Sequence, residues 1–200
     1  MNVMLKGIHI ILFLFLSLCS SAQENSYTDS IIANRNNYVK VHEVVKGSDK
    51  KFMNFFPVDA NYRVITRVQL IEEAPWFSME TSSEKKKPYR AFAILYFSLN
   101  GKELKLHVYQ SKDLMKIEKY ANNLFIPFVD NTCGEESYDN GRYVDLNIND
   151  LESGNYLLDF NTSYNPYCAY VSNKYSCPVP PKENHLSIAI KAGEMKFGNH

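Results

Sequence analysis

The spacing of apolar residues divides the chain into a helical beginning and a strand-rich remainder. From Asp29 to Lys46, apolar residues recur at roughly helical spacing, and Gly47 and Ser48 provide a stop. From Phe52 onward the spacing changes to two, which is the period of a half-buried strand. The pattern therefore predicts one amphipathic helix followed by a β-rich domain.

The two-residue period predicts a series of antiparallel strands. In the run 62–73, Val64, Thr66 and Val68 share one face, while charged side chains occupy the other. One apolar face and one mixed face are typical of an antiparallel sheet that is wet on one side. Further strands are predicted at 52–58, 125–130, 142–148, 155–161 and 185–193, and a short helix at 111–123.

A tight hairpin is the clearest local prediction. Asn100 and Gly101 lie between two β-rich halves of the run 90–111, and this dipeptide accepts the positive φ angles of a two-residue turn. On the return strand, Leu106 alternates with His107, which places the histidine on the outer face. We interpret this lone histidine as structural.

Composition supports a single, mainly β domain. The chain has 14 Tyr and 12 Phe against one Trp, a bias that suits strands. Its 22 basic and 22 acidic residues leave no basic surface for nucleic acid or anionic membranes. We predict a single antiparallel sheet or barrel-like domain at 51–195, an N-terminal amphipathic helical segment at 23–50, and a C-terminal Pro/Tyr-rich strap.

The first 22 residues have the pattern of a secretory signal peptide. Lys6 precedes an apolar run at 8–18 that is too short to span a bilayer. Ser20 and Ala22 lie at the two positions where signal peptidase requires small side chains. We expect cleavage after Ala22, export to the periplasm or the medium, and no transmembrane segment in the mature chain. Lipid attachment at Cys19 is the alternative, although a leucine precedes this cysteine.

The segment 164–184, YNPYCAYVSNKYSCPVPPKEN, combines two cysteines with a proline-rich end. In an oxidising compartment Cys168 and Cys177 can form a disulfide, which we favour. Two packed thiols, a metal site and a catalytic thiol remain open, although this spacing does not match the usual zinc ligands. We predict no metal and no cofactor. The prolines hold the backbone extended, so the segment is predicted to cover the sheet as a strap.

A set of polar residues offers a second kind of chemistry. Arg142, Asp145, Asp159 and Glu183 can converge near one sheet edge, where paired carboxylates can act as acid and base. Strand alternation, however, places Arg142 and Asp145 on opposite faces. We therefore favour a satisfied structural network. The oxygen-rich stretch 130–141 lacks the pattern of an EF-hand calcium loop, and the chain contains no phosphate loop or nucleophile elbow.

Several motifs together resemble the domain-of-unknown-function 1684 family of bacteria and archaea. They are MNFFPVDANYRV, the Asn-Gly hairpin, IPFVDNTCGEESYDNGRYVDL, LDFNTSYNPYCAY and YSCPVPPKENHLSIAIKAGE, which together span roughly 52–194. The family has no established reaction, so the resemblance implies a single domain and no activity. Cys133 departs from the expected small or polar residue, and no role is carried over to it.

Two functions follow from these observations. We favour a non-catalytic binding or structural β-domain of the bacterial cell envelope. It would take an unknown small ligand or an envelope protein through the tyrosines of 164–184 and the surroundings of Arg142. The alternative is a hydrolase-like enzyme that uses Arg142 with Asp145, Asp159 or Glu183. The candidate ligand-binding residues are Tyr138, Arg142, Asp145, Asp159, Asn161, Asn165, Tyr167, Glu183 and Asn184.

The two functions differ in what they require of the carboxylates. A binding domain predicts a concave site in which the carboxylates ionise normally. A hydrolase predicts at least two of its acidic or basic side chains within hydrogen-bonding reach inside one pocket, with a strongly shifted pKa at one of them.

Overall fold

The alternating runs form one antiparallel sheet that curls into a half-barrel in the computed structural model, which describes residues 25–198. The strand order is β6-β5-β4-β3-β1-β7, and β2 pairs with β3 beside this path. The strands are β1 Arg63–Leu70, β2 Phe77–Met79, β3 Lys87–Leu99, β4 Lys102–Ser111, β5 Asn123–Phe128, β6 Arg142–Asn147 and β7 Asn155–Asp159. The predicted mainly β antiparallel fold is confirmed.

The predicted hairpin between β3 and β4 is also confirmed. Leu99 pairs with Lys102, and the two residues between them have positive φ, 53° at Asn100 and 72° at Gly101. Inward residues of both strands are fully buried at Leu95 and its partner Leu106. The turn therefore fixes a register that places both apolar faces in the core.

The core occupies the concave face of the sheet. Its fully buried members come from four strands and from the chain after β7: Ala93, Leu95, Leu106, Val108, Ile126, Phe128, Leu158, Phe160, Ile190 and Ala192. Burial at about 25 cal/mol per Å² of apolar surface makes this cluster the main source of stability.

The strand predicted at 52–58 is wrong. Residues Gly47–Phe52 form a 3-10 helix, and the stretch after it makes one isolated bridge, from Phe55 to Glu194. Met53 and Phe56, three residues apart, are both buried. A spacing of three does not match the two-residue period of a strand. The proline that follows has no backbone N–H to donate to a strand's hydrogen-bond ladder.

The strand predicted at 185–193 is also wrong, although its inward side chains are buried as expected. The backbone of Leu186 and Ile188 bonds to the short stretch after β5, where the amide of Leu186 donates to the carbonyl of Val129 and the carbonyl of Ile188 accepts from the amide of Asn131.

At Ile190 the backbone partners are side chains. The amide of Ile190 donates to Asp130 Oδ1 at 3.0 Å, and its carbonyl accepts from Arg142 Nη2 at 2.8 Å. Two charged side chains thus take the place of a sheet partner.

The helical predictions require changes of bounds. The N-terminal helix, α1, spans 25–41 rather than 29–46. It ends at Val41, and the ring of the next residue, His42, accepts a hydrogen bond from the amide of Val45 at 2.9 Å. The short helix predicted at 111–123 is instead two 3-10 turns, Leu114–Lys116 and Glu118–Tyr120, and strand β2 was not predicted.

Two further findings concern the ends of the chain and the membrane. The predicted signal peptide and Cys19 lie outside the described residues. Within 25–198, no helix has both the length and the apolar character needed to cross a bilayer.

The chain after β7 crosses to the other edge of the sheet. Tyr164 exchanges two backbone hydrogen bonds with Tyr143 of β6, at 2.9 and 3.0 Å. Helix α1 packs beside this crossing, where Arg35 donates to the carbonyls of Phe56 and Asn161. These contacts bring α1, β6 and the segment 164–184 together around one concave surface.

Candidate functional site

A cleft of about 810 Å³ opens between helix α1, strand β6 and the segment 164–184. We call it the tyrosine cleft, after five of its lining residues: Tyr38, Tyr143, Tyr164, Tyr167 and Tyr175. Asp145, His42, Glu43 and Lys87 also line it. Its volume falls within the roughly 300–1,000 Å³ of small-molecule sites.

The tyrosine rings follow one another along the wall of the cleft. The centroids of Tyr143 and Tyr164 are 5.9 Å apart, and those of Tyr164 and Tyr38 are 6.3 Å apart. On the other side, Tyr167 and Tyr175 lie 5.1 Å apart. Edge-to-face and tilted pairs at these distances are favourable contacts, so the rings support each other's orientation.

His42 joins the two groups of rings. Its centroid is 5.1 Å from that of Tyr38 and 5.8 Å from that of Tyr167. Because the amide of Val45 donates to its Nδ1, the neutral ring carries its proton on Nε2. Burial, and after it two nearby lysines, lowers its pKa. The ring is therefore neutral at physiological pH.

Four of the five tyrosine hydroxyls of the wall are bound to acceptors within the protein. Tyr143 donates to the carbonyl of Pro178, Tyr164 to Asp145 Oδ2 (2.9 Å), Tyr167 to Glu43 Oε2 (3.2 Å) and Tyr38 to Glu194 Oε2 (3.3 Å). These bonds fix the rings at their tips. The wall consequently offers ring surface to a ligand more than it offers hydroxyl groups.

Asp145 is the carboxylate that strand β6 places in the cleft. It lies two residues after Tyr143 and therefore on the same face of the strand. Solvent reaches it through the mouth of the cleft, but protein atoms surround it on the other sides, and this partial burial raises its pKa. The bond from Tyr164 opposes the shift, and the raised pKa differs from the normal ionisation expected of a binding domain. Among the described residues, no basic group is close enough to lower this pKa.

The segment 164–184 is fastened at its base. Cys168 and Cys177 are joined in a disulfide, with 6.3 Å between their α-carbons, which confirms the favoured pairing. Outside the segment, the amide of Ser82 donates to the carbonyl of Cys177 at 2.8 Å, and the Ser82 hydroxyl accepts from the Cys177 amide at 3.1 Å. Cys133 is a free, half-buried thiol.

Arg142 lies on the other face of β6, inside the core, and does not line the cleft. Its Nη2 donates to Asp130 Oδ2 at 2.7 Å, and neither side chain is exposed. The same guanidinium donates to the carbonyls of Ile190 and Ala192. The group therefore serves as an internal brace for the C-terminal segment.

Three candidate asparagines use their side-chain amides to hold backbone. Asn161 Oδ1 accepts from the amide of Asp59 at 3.0 Å, and its Nδ2 donates to the carbonyl of the same residue at 2.8 Å. Asn184 binds the amide and the carbonyl of His107 in the same way. Asn165 Nδ2 donates to a backbone carbonyl at 2.8 Å. These amides imitate a missing strand partner.

The remaining candidates lie in separate surroundings. Asp159 accepts from the hydroxyl of Tyr27 at 2.8 Å, and Glu183 accepts from that of Tyr109 at 3.0 Å. Tyr138 lies in the turn before β6. Within 25–198, no hydrogen bond or ion pair joins the members of the hydrolase set, Arg142, Asp145, Asp159 and Glu183.

Of the nine candidate ligand-binding residues, the structure places Asp145 and Tyr167 in the tyrosine cleft. The tyrosines of 164–184, which the sequence suggested as binding groups, supply three of its five tyrosines, whereas sequence reasoning missed Tyr38, Tyr143 and Lys87. A signal existed for Tyr143, which alternates with Asp145 along one strand. No local signal linked Tyr38 or Lys87 to the site, because they come from α1 and the start of β3.

A buried carboxylate lies behind the wall. Glu194 is fully buried and accepts hydrogen bonds from the hydroxyl of Tyr170 at 2.7 Å and from the amide of Asn165 at 2.9 Å. Burial raises its pKa to about 7, against the lowering effect of these donors and of Arg142. No three His, Cys, Asp or Glu side chains within 25–198 are grouped so as to hold a metal ion.

Comparison with known proteins identifies the family. A family model described as "Protein of unknown function (DUF1684)" matches residues 50–195. The chain belongs to this family. It is also similar to an uncharacterized protein of Haloarcula marismortui, known from a solution NMR structure, with 33% identity and a TM-score of 0.65. The match covers 86% of this chain and 96% of that one. No curated protein matches the chain.

Membership of the DUF1684 family confirms the resemblance inferred from the sequence motifs. Neither the description of the family nor that of the archaeal protein names a ligand or a reaction. The geometry of the tyrosine cleft is therefore the basis for inferring a function.

Proposed function

We propose that this protein is an exported, non-catalytic binding protein whose tyrosine cleft takes a small organic ligand. The observation that carries the proposal is the cleft itself, about 810 Å³ in volume and walled by five tyrosines and a histidine. Sites for small molecules are concave, mostly apolar and lined by aromatic side chains with a few polar groups. The tyrosine cleft has this character.

Preorganisation of the wall supports binding. Tyr143, Tyr164 and Tyr167 are each held by a hydroxyl bond at the tip and by a neighbouring ring. A ligand that enters would not have to order these side chains, so less of its binding free energy is lost to entropy. Tyrosine also offers a large rigid area with few rotatable bonds.

The distribution of charged residues favours binding over hydrolysis. The hydrolase alternative requires at least two of the side chains Arg142, Asp145, Asp159 and Glu183 within hydrogen-bonding reach in one pocket. Arg142 is instead buried against Asp130, and the other two acids accept hydrogen bonds from tyrosines elsewhere. Asp145 is therefore without the partner that this reaction needs.

Export is supported by two independent features. Residues 1–22 have the pattern of a cleaved signal peptide, and disulfides such as Cys168–Cys177 persist in oxidising compartments. The test is the intact mass of the protein purified from its own cells under alkylating conditions. We expect a chain that begins at Gln23 and in which only Cys133 is alkylated. A full-length chain with all thiols alkylated would contradict export.

A ligand-observed NMR screen of small organic compounds against the mature chain tests binding. Two tryptophan substitutions on α1 provide matched variants. Val41→Trp places a bulky ring in the cleft, whereas Ile32→Trp alters an exposed residue that does not line it. Binding compounds should be retained by Ile32→Trp and lost from Val41→Trp. Compounds that bind both variants equally would show that the cleft is not the site.

A further inference from the structure

The charges around the tyrosine cleft are unbalanced. Asp145 and Glu43 both line it, against one lysine, Lys87. Glu43 accepts a hydrogen bond from the hydroxyl of Tyr167. Asp145 accepts one hydrogen bond, from the hydroxyl of Tyr164 to Oδ2. Its Oδ1 accepts no hydrogen bond from the described residues. The cleft therefore contains a carboxylate without a counter-ion.

The aromatic rings around this carboxylate also favour a positively charged group. Tyr143 and Tyr164 flank Asp145, and their rings stand at 85° to each other. The face of an aromatic ring carries negative charge density and attracts a cation, most strongly where water is displaced. A carboxylate and ring faces on one surface thus attract the same kind of group.

Building on the function proposed above, we propose that the ligand is an organic cation. Its quaternary ammonium group would lie beside Asp145 against the rings of Tyr143 and Tyr164. Its apolar part would extend along the wall toward Tyr167 and Tyr175. This combination of a carboxylate with an aromatic enclosure is how proteins recognise quaternary ammonium groups.

Other ligand classes fit the cleft less well. A sugar would need free hydroxyl donors, but the hydroxyls of Tyr143, Tyr164 and Tyr167 are already bound to protein acceptors. An anion would need basic groups. His42 is neutral, since burial lowers its pKa, which leaves Lys87 opposed by two carboxylates.

Three compounds of similar shape but different charge show whether binding depends on the charge of the ligand. Choline is the cation, 3,3-dimethylbutan-1-ol is its neutral isostere, and 3,3-dimethylbutanoate is the anion. Each is titrated into the mature chain carrying isotope-labelled tyrosine, and the ring resonances report binding. We expect choline to shift the resonances of Tyr143 and Tyr164 saturably, with an affinity about tenfold above that of the alcohol.

Two variants identify the carboxylate. Asp145→Asn retains an acceptor for Tyr164 but removes the charge, so choline and the alcohol should bind within about twofold of each other. Asp113→Asn is the control, because Asp113 is an exposed acid paired with Lys116 outside the cleft. It should preserve the preference for choline. Native-like tyrosine resonances establish that each variant is folded.

The outcomes distinguish the ligand class from the function. If the alcohol or the butanoate shifts the resonances of the cleft tyrosines as strongly as choline does, the proposal of a cationic ligand is wrong. The proposal that the cleft is a binding site is then still supported. If none of the three shifts them at millimolar concentration, the cation is likewise overturned. The screen with Val41→Trp then decides separately whether the cleft binds any compound.

Discussion

Arg142 and Asp130 form an ion pair, 2.7 Å from Nη2 to Oδ2, in which neither side chain has any exposed surface. The guanidinium also binds the carbonyl of Ile190, and the carboxylate binds the amide of the same residue. The pair therefore holds the C-terminal segment where a strand would otherwise be needed. Arg142 is therefore a structural residue and not part of the candidate site.

Replacement of Arg142 should unfold much of this region. Arg142→Lys keeps the charge but loses the planar fork that reaches Asp130 and two carbonyls at once. It leaves a buried carboxylate poorly paired, which costs about 3–5 kcal/mol of unfolding free energy. Urea denaturation measures the loss. Lys191→Ala, which breaks an exposed pair with Glu136, should cost less than about 1 kcal/mol. Equal losses in the two variants would contradict a structural role for Arg142.

Stability should fall with rising pH because of Glu194. Burial raises its pKa from 4.5 to about 7, so the folded state binds the proton more tightly than the unfolded chain does. A raised carboxyl pKa contributes stability that is complete below about pH 4.5 and is lost as the pH rises through about 7. The loss is at most roughly 3 kcal/mol.

The variant Glu194→Gln tests this assignment through denaturation curves measured across that pH window. The amide cannot ionise, so the fall in stability should be largely removed. Asp145, whose pKa burial also raises, contributes in the same direction and will leave a smaller slope. Glu103→Gln, an exposed acid on β4, is the control. An unchanged pH dependence in Glu194→Gln would show that other groups govern it.

Reduction of the Cys168–Cys177 disulfide should destabilise the fold moderately. The cysteines are 9 residues apart. On the chain-entropy model, closing so short a loop is worth roughly 2.5–3 kcal/mol. The double variant Cys168→Ser/Cys177→Ser should lose about this amount in urea unfolding, whereas Cys133→Ser should lose little. A double variant as stable as the native protein would show that the hydrogen bonds to Ser82 suffice to hold the segment.

Two glycines with similar backbone conformations should differ in their tolerance of alanine. Gly141 has φ +86° and Gly154 has φ +75°. A β-carbon at Gly141 would collide with the carbonyl of Phe128 and the ring of Pro180, whereas at Gly154 it would meet open space. Gly154→Ala should cost about 1–2 kcal/mol for its conformation alone. Gly141→Ala should cost about 1–3 kcal/mol more. Similar unfolding midpoints would contradict the close approach.

The sequence predicts elements well where local pattern and tertiary contacts agree. The β3–β4 hairpin has strict alternation and a turn that suits it, so its register follows from the sequence. The segment 185–193 alternates just as strictly, yet it is not a strand. At Ile190 its backbone binds the side chains of Asp130 and Arg142, which lie far away in sequence. No local pattern signals such a replacement.

The same reasoning explains which site residues could be predicted. Alternation alone indicates that Arg142 shares the buried face of Val144 and Leu146, while Asp145 faces away from the core. The meeting of α1 with the segment 164–184 depends instead on long-range bonds, such as the pair of Tyr38 and Tyr170 hydroxyls at 3.0 Å. The cleft is a product of these contacts, so its full wall is not readable from the sequence.

Binding of a small ligand in the tyrosine cleft can be observed directly. A crystal structure of the mature protein with the tightest compound from the screen tests it most directly. We predict electron density for the compound along the rings of Tyr143, Tyr164 and Tyr167, with a polar group within hydrogen-bonding distance of Asp145. Density for the compound on another surface, with the cleft empty, would contradict the claim.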